Sequence, residues 1–252
     1  MSSSPHDLAG ELLTAFRAPA PAQAPGPGRV RSAPVPLGPA IRFPAQERER
    51  ESLRTVLERR RSIRFFGPGP VDASLVADVV AGGLTQDAET WPQEQEHCPL
   101  QTDVVAFRLD GLEPAMYSLD THAGTERAGE RSYVQVAPLP EPEARHDLTL
   151  QWEFCDSAAI ISIAADLDRA SEVHGAHGYR LLMSRAAAAA YAMWLDAVAL
   201  GLVGTVFAGF IPASVRQPLR SDGASRHQIF ALALGGAPVP PPHTAPGPTG
   251  HR

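Results

Sequence analysis

A chain of 252 residues with 44% hydrophobic content can bury one sizeable core, and a formal net charge of -6 argues against nucleic acid as its main partner. All 22 basic residues are Arg, so Schiff-base catalysis, a P-loop lysine and a lysine general base are excluded. The two cysteines, Cys98 and Cys155, lie far apart without a partner motif and indicate neither a zinc site nor a disulfide framework.

Residues 1–45 open with a short helical possibility over Asp7–Phe16, a candidate docking segment, and continue as alternating Ala and Pro. That pattern sustains neither a helix nor a sheet ladder and predicts a disordered segment. No basic start precedes an apolar stretch, so no secretory signal is expected and the cytoplasm is the expected location. The tail, residues 239–252, is Pro-rich and is also expected to be disordered, which leaves 46–238 as the folded unit.

Gln46–Arg61 reads as a charged helix whose stripe is Leu53, Val56 and Leu57. Asp72 is a plausible N-cap for a second helix with Leu75, Val76, Val79 and Val80 on its inner face. Ala81–Leu100, with Gly82-Gly83 and Trp91-Pro92, reads as loop. Val104–Leu109 and Ala115–Leu119, separated by Asp110-Gly111, form a hairpin candidate. Glu126–Glu143 is polar and Pro-bearing and reads as loop, and Asp147–Phe154 as helical. Ala158–Ala165 fits a central buried strand, followed by a short helix over Leu167–Val173.

Tyr179–Leu200 has no Gly or Pro, carries five consecutive alanines at Ala186–Ala190 and stops at Gly201. Its apolar residues fall on every side, which predicts a helix buried all round. Ala186–Ile211 is long enough to span a membrane, where roughly 20 residues suffice. Asp196 would then sit near mid-bilayer at about 2.5–3.5 kcal/mol, so the segment reads as a core helix of a soluble protein. Strands over Val203–Phe207 and Gln228–Leu234 flank a single helical turn at Ala213–Gln217. Helices and strands alternate without strict βαβ spacing, and the fold class is α+β.

Arg60-Arg61-Ser62-Ile63-Arg64 is the sharpest chemical signal, because three guanidiniums and a hydroxyl suit a phosphate or another bidentate anion. Taken alone it also fits a solvated basic helix end, where Arg favours the C-terminal dipole. Three further segments follow in order: Gly111-Leu112-Glu113-Pro114-Ala115-Met116-Tyr117-Ser118-Leu119-Asp120, His174-Gly175-Ala176-His177-Gly178-Tyr179-Arg180, and Leu200-Gly201-Leu202-Val203-Gly204. In that order the motifs resemble the nitroreductase-like FMN oxidoreductases, and more narrowly the azoline dehydrogenases of ribosomal peptide biosynthesis. The resemblance covers about 46–238.

It implies a nitroreductase-like fold, with a central, mainly antiparallel sheet flanked by helices around a long buried helix. It implies FMN as cofactor, held by Arg60, Arg61, Ser62 and Arg64 with Gly204 beside them, and no metal. It also implies a homodimer with flavin at the subunit interface, alone or within a cyclodehydratase complex. The implied activity is oxidation of an azoline to an azole on a ribosomally made peptide.

The family's Pro-Ser-Gly segment is missing from Asp87–Thr102, and Val173-His174 stands where its Lys-Tyr pair would be. His174 is then the candidate base, with an unperturbed pKa of ~6.5, and Tyr179 the second candidate catalytic residue. A packing role competes for both, and His177 lacks a third ligand for a metal. Asp196 needs a cationic partner, Arg185 or an Arg from another segment. Two other readings remain: a catalytically degenerate scaffold protein of a peptide-modifying complex, and a reductase of small nitro or quinone compounds.

Overall fold

The computed structural model describes residues 32–122 and 129–238, together with 10, 11, 13 and 14. The expected helix at Asp7–Phe16 and the tail 239–252 lie largely or wholly outside the described residues. A seven-stranded sheet organises the rest, in the order β1-β6-β5-β3-β7-β9-β8. Its strands are β1 (Ile41–Pro44), β3 (Gln101–Ala106), β5 (Ala115–Asp120), β6 (Glu130–Pro138), β7 (Ala159–Ala165), β8 (Val203–Phe207) and β9 (His227–Gly235). Every neighbouring pair in this sheet is antiparallel. A separate parallel pair joins β2 (Val71–Asp72) to β4 (Leu109–Asp110).

One face of the sheet carries the main core. Val104, Ala106, Ile161, Ile163 and Leu232 pack there against two helices, α2 (Ala73–Thr90) and α5 (His177–Ala199). The opposite face carries Val105, Met116, Ile160 and Ala231 under Leu148, Phe154 and Phe210. Between β6 and β7, two short 3₁₀ turns at Pro142–Leu148 and Trp152–Asp156 replace the helix expected over Asp147–Phe154. The smaller helices are α1 (Leu53–Arg59), α3 (Pro92–His97), α4 (Leu167–His174) and α6 (Pro212–Val215).

α2 begins as expected, with the Asp72 carboxylate accepting from the Ser74 N–H at 2.8 Å. Burial pushes the Asp72 carboxyl up, but hydrogen bonds from Ser74 and Arg48 outweigh it and hold the group below its ordinary range. The helix then runs ten residues beyond Val80, through Gly82-Gly83, where a loop was expected. A Cβ on Gly83 would lie 2.5 Å from Met193 Cγ and 2.9 Å from the Ala189 carbonyl oxygen. Gly83 lets α2 and α5 approach closely, and the closeness repays its poor helix propensity.

Four further expectations change. The helix at Gln46–Arg61 is confined to Leu53–Arg59, capped by Ser52, and of its stripe only Val56 is buried. Leu53 and Leu57 are 62% and 48% exposed. The polar stretch 126–143 contains β6, an inner strand that pairs with both β1 and β5. Residues 32–44 lie within the expected disordered segment 1–45 yet are bound to the sheet: β1 pairs with β6, and the Leu37 N–H donates to the Gln135 carbonyl at 2.8 Å.

The long helix is not buried all round. Leu182, Arg185, Ala186, Ala189, Ala190, Met193, Ala197 and Val198 face inward, whereas Tyr179 and Tyr191 are 48% and 44% exposed. Among the described residues no helix is long and apolar enough to cross a membrane.

Candidate functional site

Where α1 stops, its terminal arginines divide into two groups. Arg59 is spent on structure: it donates to the Val198 carbonyl at 2.7 Å and pairs with Glu51 at 2.6 Å. Arg60 lies over the Trp194 ring, 4.5 Å from its centroid, a cation–π contact that fixes the chain as it leaves the helix. Among the described residues Arg61 meets only the backbone, at the Glu58 and Arg60 carbonyls (3.1 and 2.9 Å). Arg64 reaches Glu153 loosely, at 3.8 Å, and is 58% exposed.

The backbone between these arginines is pinned. Ser62 forms a parallel bridge with Gly204, and the Ile63 N–H donates to the Gly204 carbonyl at 3.1 Å. Ser62 is exposed, and its hydroxyl has no hydrogen-bond partner among the described residues. A cleft of about 320 Å³ opens between this segment and the C-terminal end of α5, lined by Arg60, Arg61, Val198, Gly201 and Leu202. Arg60, Arg61, Ser62 and Arg64 share one pinned, strand-like run, but of the four only Arg60 and Arg61 line this cleft. A phosphate fits this donor set: two exposed guanidiniums without a tight acidic partner, plus a hydroxyl.

Gly204 is adjacent but owes its identity to packing. A Cβ there would collide with the Ala233 carbonyl oxygen and approach Leu234 Cδ2 to 2.8 Å, so the glycine lets β8 lie close against β9.

His174 and Tyr179 lie elsewhere. His174 ends α4 half-buried, and Gly175 turns the chain with φ +58 before α5 starts at His177. Together with His177, Arg180 and Ser184, His174 lines an open depression of about 470 Å³. The arginine cleft touches α5 at Val198, near its other end. At 1.5 Å of rise per residue, Tyr179 and Val198 are about 28 Å apart. Within one chain the two candidate groups are therefore not brought together. Among the described residues no group of three His, Cys, Asp or Glu could hold a metal ion.

Asp196 has the partner its place in the helix demanded, but it is Arg50, at 2.5 Å, rather than Arg185. The hydrogen bond from Arg50 to Asp196 raises the guanidinium above its ordinary value despite partial burial. Arg185 is fully buried and paired with Asp87 at 2.7 Å. Trp194 and Glu153 are members of the site that the sequence reading missed. Both are remote in sequence from Arg60–Arg64, and no local pattern marks them.

Residues 57–236 match the sequence profile of the Nitroreductase family. A candidate nitroreductase of Methanocaldococcus jannaschii is 25% identical over 195 residues, which cover 73% of this chain and 92% of the relative. A nitroreductase-type structure from Ralstonia eutropha aligns with a TM-score of 0.58 at 15% identity, over 86% of this chain and 99% of that one. Another, from Anabaena variabilis, has a TM-score of 0.58 and 21% identity over 73% of this chain, which spans 38% of its length. Both structures share the fold described above.

Proposed function

The chain belongs to the nitroreductase family, and on that premise we propose that it is an FMN-dependent oxidoreductase of a ribosomally made peptide intermediate, oxidising an azoline to an azole. The observation that carries the flavin reading is the exposed Arg61-Ser62-Arg64 run, pinned through Ser62 and Ile63 to the start of β8. When bound, FMN supplies the acceptor for a hydride leaving the substrate carbon. Arg61 and Arg64 would hold its phosphate, Ser62 would donate from its hydroxyl, and Arg60 would add positive charge at the wall of the cleft. In this reading His174 accepts the azoline proton on a ring nitrogen, and Tyr179, on the first turn of α5, is the second catalytic residue.

About 28 Å of α5 separates this base from the phosphate grip. His174 therefore serves the site only if a second copy presents it, and the working unit we propose is a homodimer, alone or within a cyclodehydratase complex. The same separation favours a second reading, a relative without activity that binds partners in such a complex. A reductase of small nitro or quinone compounds would need the flavin but not His174.

The first experiment is a visible absorption spectrum before and after adding FMN and desalting. Retention of about one flavin per chain is the expected result, and a colourless protein that cannot take up FMN would overturn the oxidoreductase reading. Turnover of an azoline peptide, and its loss in His174→Ala, then separates peptide oxidation from small-molecule reduction.

A further inference from the structure

A cavity with polar groups unclaimed by the flavin reading lies at the opposite end of the sheet. Gly204 pairs with Leu234, Leu234 with Ala159, and Ala159 with Ala106. The cavity starts at Gln101, the other end of β3, roughly 17 Å away at strand rise. Its volume is about 540 Å³, within the range of small-molecule and side-chain pockets.

The cavity is built from separate stretches of chain. Ser118 and Val134, cross-strand neighbours on β5 and β6, form part of its floor with Val136. Pro34 and Pro36 form a wall, in a segment held by Ser32, whose N–H donates to Ser225 Oγ at 3.0 Å, and by the Leu37 bond to β6.

The polar groups follow a pattern. Ser118 is partly buried, and its hydroxyl has no hydrogen-bond partner among the described residues. Thr121, 2% exposed, lines the same cavity, and its hydroxyl is likewise unpartnered there. Gln101 accepts from Arg226, which leaves its amide N–H groups to donate. The Arg226 charge is neutralised by Asp103 at 2.6 Å, with both side chains buried, and Asp120, which also lines the cavity, adds a carboxylate 3.2 Å from the His122 ring. A phosphate or carboxylate ligand would find no net positive charge here, whereas a neutral molecule would find hydroxyls and an amide set in an apolar wall.

We propose that this cavity is a binding site for a neutral apolar molecule bearing an amide, the chemistry of a hydrophobic residue within a peptide chain. The apolar body packs against Val134, Val136 and the two prolines, and the amide bonds Ser118 and Gln101. The proposal stands independently of the flavin reading.

The test uses N-acetyl-leucine N-methylamide as probe and the full chain, with binding followed by ligand-detected NMR. A dissociation constant below about 5 mM is expected for the wild-type chain. Ser118→Ala should weaken it about fivefold, the effect of one lost hydrogen bond. Val136→Trp and Ser118→Ile, which fill the cavity from two strands, should abolish it, while Leu150→Ser, on an exposed residue outside the cavity, should leave it unchanged. Circular dichroism establishes that each variant is folded. The proposal is overturned if the wild-type chain shows no binding, or if a folded cavity-filling variant binds as well as the wild type does.

Discussion

Arg185 and the pair Arg61 and Arg64 carry the same side chain in opposite circumstances. Arg185 is fully buried on α5, donates to both oxygens of Asp87 at 3.0 and 2.7 Å and adds a bond to the Cys98 carbonyl at 2.9 Å. Arg61 and Arg64 stand in solvent with only backbone carbonyls or a loose carboxylate near them. In a chain whose basic residues are all arginine, residue type says nothing about role. The partner set does: a guanidinium whose three nitrogens all find buried acceptors holds the fold, and one on a fixed backbone without a tight carboxylate partner is available to a ligand.

Breaking the first half of this contrast should have the largest effect. Arg185→Ala strands the buried Asp87 carboxylate and is expected to cost about 3–5 kcal/mol in denaturant unfolding. A loss below ~1 kcal/mol would mean the pair is not closed as described. Gly204→Ala should cost about 1–3 kcal/mol through overpacking against Ala233, and flavin content per folded chain should stay near that of the wild type if the glycine serves the sheet.

Arg61→Ala and Arg64→Ala sharpen the second half. Each should move stability by no more than about 0.5 kcal/mol and weaken FMN retention on the order of tenfold, the effect of a lost charged hydrogen bond. Unchanged flavin content in both would remove the phosphate assignment. The smallest effect concerns Asp72, whose carboxyl is held below its ordinary range mainly by Ser74 and Arg48 against the push of burial. Its contribution is present above the unfolded-state value near 4 and is lost as the pH falls through the lower folded-state value. Asp72→Ala should cost about 1 kcal/mol at neutral pH, and unfolding curves of the two proteins should converge once the pH has fallen through that lower value.

Much of the fold was legible because local pattern and burial agree. The Ala158–Ala165 run is the central β7, the Asp110-Gly111 hairpin joins β3 to β5, and Gly201 follows the end of α5. The failures share a cause, in that the deciding neighbour is distant in sequence. Gly82-Gly83 reads as a break until Met193 and Ala189 occupy the space that a side chain at Gly83 would need. β6 hides in a polar stretch because Arg131 and Ser132 are buried beside Tyr133, whose hydroxyl donates to the Ala73 carbonyl at 2.9 Å. The one-sided burial of α5 is hard to see because its exposed face, beside Arg180 and Ser184, carries Tyr179, Ala187 and Tyr191. At the site, the consecutive arginines were readable, whereas the Trp194 stack and the remoteness of His174 depend on how helices lie in space.

β1 bears on self-association. It is only four residues long, ends in Pro44 and borders the nine-residue β6. At the opposite border, β8 is bridged by Ser62. A short terminal strand ending in a residue without an N–H is a poor template for another chain, whereas an uncovered nine-residue strand is a good one. β1 thus acts as a gatekeeper, keeping the long ladder of β6 from being completed by a neighbouring molecule.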